Sequence, residues 1–139
     1  MVFLVLVVRM VLMNLIAAWT GILLGLLAGV VMGLFFHKED WLGGYNSWPR
    51  RLFRLGHIAF FGIAFLNFAF VITIQSASVP SAVFAWPGAL LVVAQFTMPL
   101  VCLLAGIKKP MRHLFFVPVI SAVGGAALTL VALLSGVPK

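Results

Sequence analysis

Four apolar runs, each long enough to cross a lipid bilayer, dominate this sequence. A hydrocarbon core about 30 Å thick takes roughly 20 helical residues at about 1.5 Å each. The chain offers such runs at about residues 14–36, 57–75, 83–106 and 113–135. No water reaches a backbone inside lipid, so each run must satisfy its own N–H and C=O groups, as an α-helix does. The reading is an all-α integral membrane protein, a four-transmembrane-helix bundle. Composition agrees: 65% of the residues are hydrophobic and 8% charged, against about 45–50% and 25% in soluble domains. The 139 residues include no polar stretch long enough for a second domain, so 1–139 reads as a single membrane domain.

The first run extends from Met1 to Phe36, broken only by Arg9 and weakly by Asn14. That exceeds one perpendicular crossing, which leaves residues 1–12 with three alternatives. They form a helical extension, an interfacial segment, or an upstream piece of a chain that starts at Met10 or Met13. A cleaved signal peptide fits poorly, because no basic n-region precedes the run and the run continues far past Ala17 and Ala18.

The polar connections carry the charge. In the loop 37–56, Gly43, Gly44 and Asn46 signal turns. Ser47 is placed to cap a helix with Pro49 in its first turn, followed by Arg50, Arg51 and Arg54. The loop 107–112 holds Lys108, Lys109, Pro110 and Arg112. Two crossings separate these loops, so they share a side, which receives seven of the nine Lys and Arg residues; Arg9 and Lys139 fall on the other. The positive-inside rule then places both loops in the cytoplasm and both termini outside, in an inner membrane of bacterial type. Trp19 and Trp86 would mark the outer interface, and Trp41, Tyr45 and Trp48 the inner one. The net charge of +7 does not point to nucleic acid. The basic residues crowd between apolar runs, where they set topology and meet anionic headgroups.

Within the first run, Ala17, Gly21, Gly25, Gly29 and Gly33 recur every fourth residue and end at His37. On a helix they form one slanting stripe of hydrogens and a methyl, which lets another backbone approach closely in lipid. The fourth run is the expected partner, with Ser121, Gly125 and Thr129 on one small-residue row and Ala122 and Ala126 on another. Packing inside the bundle, homo-oligomerisation and docking to another membrane protein all remain open to such a stripe. Pairing of spans one and four would bring His37 and His113 together.

Polar residues inside the spans are few. Asn67 stands among Phe60, Phe61, Phe65, Phe68 and Phe70, and Gln95 precedes Pro99 by four residues, so the proline removes the helical donor to the Gln95 carbonyl. Each lies about ten to eleven residues from the basic side. An Asn67–Gln95 hydrogen bond would satisfy both at a modest gain of about 0.6 kcal/mol; the alternative is a polar notch for a substrate or quinone headgroup.

His37, His57 and His113 all fall at the basic ends of their spans, with Glu39 and Asp40 beside His37. If the first helix continued through the loop, His37 and Asp40 would share a face. Such ligands could hold zinc, copper or iron, and two facing imidazoles could hold a haem. The alternative is interfacial residues facing headgroups, since no HxxxH or HExxH pair occurs. Cys102 is the only cysteine, so no internal disulfide forms.

No Asp, Glu, Lys or Arg lies within spans two to four, which argues against an ion-coupled pump. GxSxG, P-loop and dinucleotide patterns are also missing. An enzyme on this scaffold would have to work at the membrane edge on a lipid or redox cofactor, and the reading leans away from an enzyme. The expected function is an accessory, assembly or structural subunit acting through helix packing. The two alternatives are a haem or metal redox protein and a small-solute permeation protein.

Overall fold

In the computed structural model the described residues are 2–76 and 80–136. Four helices carry the chain: α1 (Val2–Leu34), α2 (Trp48–Ser76), α3 (Ala85–Ile107) and α4 (Phe116–Ser135). All four are long and apolar enough to span a membrane, α4 together with the 3₁₀ segment before it. The protein is an all-α, multi-pass, four-helix bundle suited to a lipid bilayer. Residues 2–12 are helical and continuous with α1.

The connections follow local chemistry. Ser47 accepts the Arg50 N–H at 3.3 Å, Pro49 sits in the first turn of α2, and the helix begins nine residues before the apolar run it carries. A 3₁₀ turn (Ser81–Phe84) leads into α3 and another (Lys109–Phe115) into α4, so residues 113–115 precede α4 instead of belonging to it. The expected link from Gln75 to Pro80 passes through 77–79, and Lys139 also lies outside the described residues.

The packing order corrects one expectation. α3 is central, with α2 and α4 packed against it, while α1 packs on α2 and on α3; any contact of α4 with α1 or α2 is marginal. The two small-residue helices therefore flank the bundle and do not pair with each other. Volume is the physical reason. A groove of glycines on one helix and a row of small residues on another would leave little side-chain mass between them. Large side chains fill a groove better.

Each groove receives such a side chain. A Cβ on Gly25 would meet the Phe61 ring at 2.8 Å and Phe60 Cβ at 3.2 Å. One on Gly88 would meet the Phe70 ring at 2.7 Å, and one on Gly106 the Phe53 ring at 3.0 Å. On α4 the buried residues are Pro118, Ser121, Gly125 and Ala132, one face turned to α3; a Cβ on Gly125 would strike the Leu91 side chain at 2.9 Å and the Pro87 carbonyl at 3.2 Å. The apolar core gathers Phe70, Ile74, Phe84, Leu91 and Ala132, with Met10, Val11 and Leu133 around it. The phenylalanines of α2 are thus the knobs for the glycines of α1 and α3.

Candidate functional site

Two regions carry unusual chemistry: a file of polar side chains between α1, α2 and α3, and an aromatic–arginine cap at the basic end of the bundle.

The file begins on α1. Asn14 is buried, and its Nδ2 donates to the Met10 carbonyl at 2.9 Å. It stands beside Gly88 of α3, where a Cβ would lie 3.0 Å from Asn14 Nδ2. One turn along α3, the Leu91 carbonyl accepts Asn67 Nδ2 at 3.3 Å, and the same nitrogen donates to Ile63 at 2.9 Å. A further turn on, Gln95 Nε2 donates to the Phe60 carbonyl of α2 at 3.2 Å, and its amide fills the space over Gly21. His57 follows toward the basic end. Its Cε1 lies 3.0 Å from where a Gly29 Cβ would stand, and its ring meets Phe61 edge-on at 5.3 Å. From the helical rise, the first three groups are staggered by about 4–6 Å in depth.

Asn67 and Gln95 do not bond to each other, which corrects the expected pair. Each amide finds a backbone carbonyl on a neighbouring helix instead, because a carbonyl in reach asks for no second ordered side chain. A set of polar atoms is left without partners. Asn14 Oδ1, Asn67 Oδ1, Gln95 Oε1 and His57 Nδ1 are all buried and have no hydrogen-bond partner among the described residues. Leaving a buried polar group unpaired costs about 1–3 kcal/mol. The Gln95 backbone carbonyl is a further weak point, since Pro99 sits inside α3 and offers it no N–H.

The cap is built around Arg50. α1 stops at Leu34, two residues before the expected end, and the chain folds back so that Phe35 stacks on Trp41 at 5.6 Å. His37 and Asp40 therefore sit in turns of the expected loop, and the helical continuation that would have put them on one face does not form. Gly43 (φ 84°) and Gly44 (φ 93°) turn the loop, and Leu42 adopts a left-handed φ of 56°, which a leucine holds only where its surroundings enforce it. Arg50, 5% exposed, donates from Nη1 to the Glu39 carbonyl at 3.1 Å and lies over Trp41 and Tyr45. Arg54 covers Tyr45 at 4.2 Å and donates to its carbonyl at 3.2 Å. Trp48 Nε1 donates to the Ala105 carbonyl at 2.9 Å, which clamps the start of α2 to the end of α3. That bond also puts the 37–56 and 107–112 segments at one end of the bundle.

The histidines are dispersed. His37 and His113 are exposed, at the end of α1 and before α4, whereas His57 is wedged against Gly29 and Phe61. Among the described residues no group of three or more His, Cys, Asp or Glu side chains is placed to hold a metal. Of the stripe, Ala17, Gly21 and Gly25 are buried and Gly29 is half-buried against His57, but Gly33 has open space around it. Sequence reasoning missed Asn14 as a member of the polar file and Arg50 as a buried residue. A polar residue three before Ala17 and seven before Gly21, on the same helical face as the stripe, was the available signal for Asn14.

Trp86 is exposed at the first turn of α3, and Trp19 is exposed on α1. Gly21 faces Gln95, which lies within a residue of the midpoint of α3, and Trp19 is only two residues away. Trp19 is 64% exposed, on the side of α1 away from the stripe.

Compared with protein families, curated proteins and solved structures, the chain finds no match.

Proposed function

We propose that this protein is an accessory subunit of a membrane assembly and that a partner helix docks on the outward face of α1. Trp19 is the observation that carries the reading. Its ring is edge-on to Phe68 at 5.5 Å, most of its surface is open, and its indole N–H has no acceptor among the described residues. Tryptophan favours membrane interfaces, where its N–H meets water or headgroups. An aromatic face left open beside Ile16, Leu23 and Leu26 gives a partner helix a large rigid surface, and that helix can supply the indole N–H with an acceptor. The glycine stripe is occupied from Gly21 to Gly29 by α2 and α3, so the docking face passes from the stripe to the opposite side of α1, where Ile16, Trp19, Leu23 and Leu26 are exposed.

Orientation belongs to the same proposal. The basic end of the bundle would face the cytoplasm of an inner membrane, with both termini outside. Photo-crosslinking in native membranes tests the docking face. Probes at positions 19 and 23 should give one discrete protein adduct, and probes at 120 and 123 of α4 should give lipid adducts alone. Lipid adducts alone at all four positions would overturn the proposal.

A second reading, permeation of a small polar solute, draws support from the file of unpaired acceptors. Polar groups retained inside a membrane at a cost in stability mark solute and ion paths in many transporters. Asn67 and Gln95 would then be the central groups of a path that is closed in this conformation.

A further inference from the structure

The cap holds cations that no carboxylate among the described residues pairs with. Arg50 is nearly enclosed, yet among the described residues its guanidinium has a single hydrogen bond, to a main-chain carbonyl. Its remaining guanidinium nitrogens are not sealed from the surface, so an anion arriving there can meet them. The two carboxylates of the sequence, Glu39 and Asp40, lie in this same loop, and both are exposed. It is the Glu39 carbonyl, and not its carboxylate, that Arg50 binds. Tyr45 brings a second cation alongside, with Arg50 5.6 Å from the ring centroid and Arg54 4.2 Å. Arg54 likewise spends one N–H on a carbonyl, that of Tyr45. A guanidinium has five N–H donors in a planar fork, so both arginines keep donors in reserve, and that fork matches the oxygens of a phosphate group.

We propose that Arg50 and Arg54, held around Tyr45, form a site for one phosphate group. Position in the bundle favours the phosphodiester of an anionic lipid as its source, one whose charge no choline offsets. Both arginines lie in the first two turns of α2, a candidate span that begins at Trp48. Trp41, Tyr45 and Trp48 surround them, as aromatic residues do at headgroup depth. The turn Gly43–Gly44 and the left-handed Leu42 fix the loop, so the two cations are positioned before any anion arrives. The site is local and does not depend on the docking face of α1.

Thermal stability of the purified full chain in zwitterionic phosphatidylcholine nanodiscs gives the test. One arm adds phosphatidylglycerol to the nanodisc, and the other adds inorganic phosphate to the buffer. The unfolding midpoint should rise with phosphatidylglycerol, and Arg54→Gln should abolish the rise, read as the difference between that variant's own midpoints with and without phosphatidylglycerol. Arg50→Gln should abolish it too, and Lys109→Gln, a cation outside the site, should preserve it. A rise of equal size with inorganic phosphate, also lost in Arg54→Gln, would keep the site and make its ligand soluble. No rise in either arm would overturn the proposal, as would an equal loss in Lys109→Gln, which would reveal diffuse charge attraction.

Discussion

Gln95 of α3 lies so close over Gly21 of α1 that a methyl group on Gly21 would overlap its side-chain amide. The glycine is what admits a long polar side chain to the centre of the helix interface. The same contact fixes the register of α1 against α3, and with it the levels of Asn14 and Trp19 along the bundle. It also divides the stripe into positions that must stay small and one that need not.

Substitutions along the stripe should therefore differ sharply. Gly25→Leu drives a side chain into Phe60 and Phe61, and overpacking of this kind costs about 1–3 kcal/mol. Gly33→Leu meets nothing within 4 Å and should change stability by less than about 0.5 kcal/mol. Unfolding in detergent, followed by circular dichroism, compares the two. Equal losses would mean that the whole stripe is packed.

On α4 the two adjacent glycines should also separate. A Cβ at Gly125 collides with Leu91 and with the Pro87 carbonyl, and the backbone atom cannot move aside cheaply. At Gly124 the nearest atom is Leu90 Cδ1 at 3.5 Å, an ordinary contact. Gly125→Ala is expected to destabilise by about 1–3 kcal/mol, whereas Gly124→Ala gains helix propensity and should be neutral or better. A scanning calorimetry trace for each protein decides the matter.

The clamp from Trp48 to Ala105 joins residues 57 apart in sequence, so its loss should loosen the basic end of the bundle. Trp48→Phe keeps the ring and removes the donor, for an expected loss of about 1 kcal/mol. Faster amide exchange in the segment 37–47 should accompany it. Unchanged exchange there would show that the loop is held by Arg50 alone.

If the polar file conducts a small solute, liposomes containing the protein should pass water or ammonia faster than empty ones. Asn67→Leu and Gln95→Met should abolish the excess. If the file is only structural, no excess flux appears. Gln95→Met should then be neutral or stabilising, because it removes the unpaired Oε1 along with the donor.

The sequence made the helices legible and their pairing much less so. Length and apolarity alone mark the spans, and Ser47 and Pro49 mark the start of α2, because these signals are local. Partner choice depends on volume across helices, and matching the small residues of α1 to those of α4 overlooked Phe60, Phe61 and Phe70 as the complementary bulk. Asn67 and Gln95 stood out as buried polar residues. Their partners were not readable, since backbone carbonyls on other helices carry no sequence mark. Arg50 looked like one of several interfacial cations, and only the fold of the loop buries it.

The central claim is that the glycine face of α1 is gripped by α2 and not by α4. Disulfide trapping in the membrane tests it directly, in a Cys102→Ser background. Gly25 Cβ would stand 3.2 Å from Phe60 Cβ, close to the range a disulfide requires. The account predicts that Gly25→Cys with Phe60→Cys forms an intramolecular bond on mild oxidation, while Gly25→Cys with Gly125→Cys does not. A bond between positions 25 and 125, with none between 25 and 60, would contradict it.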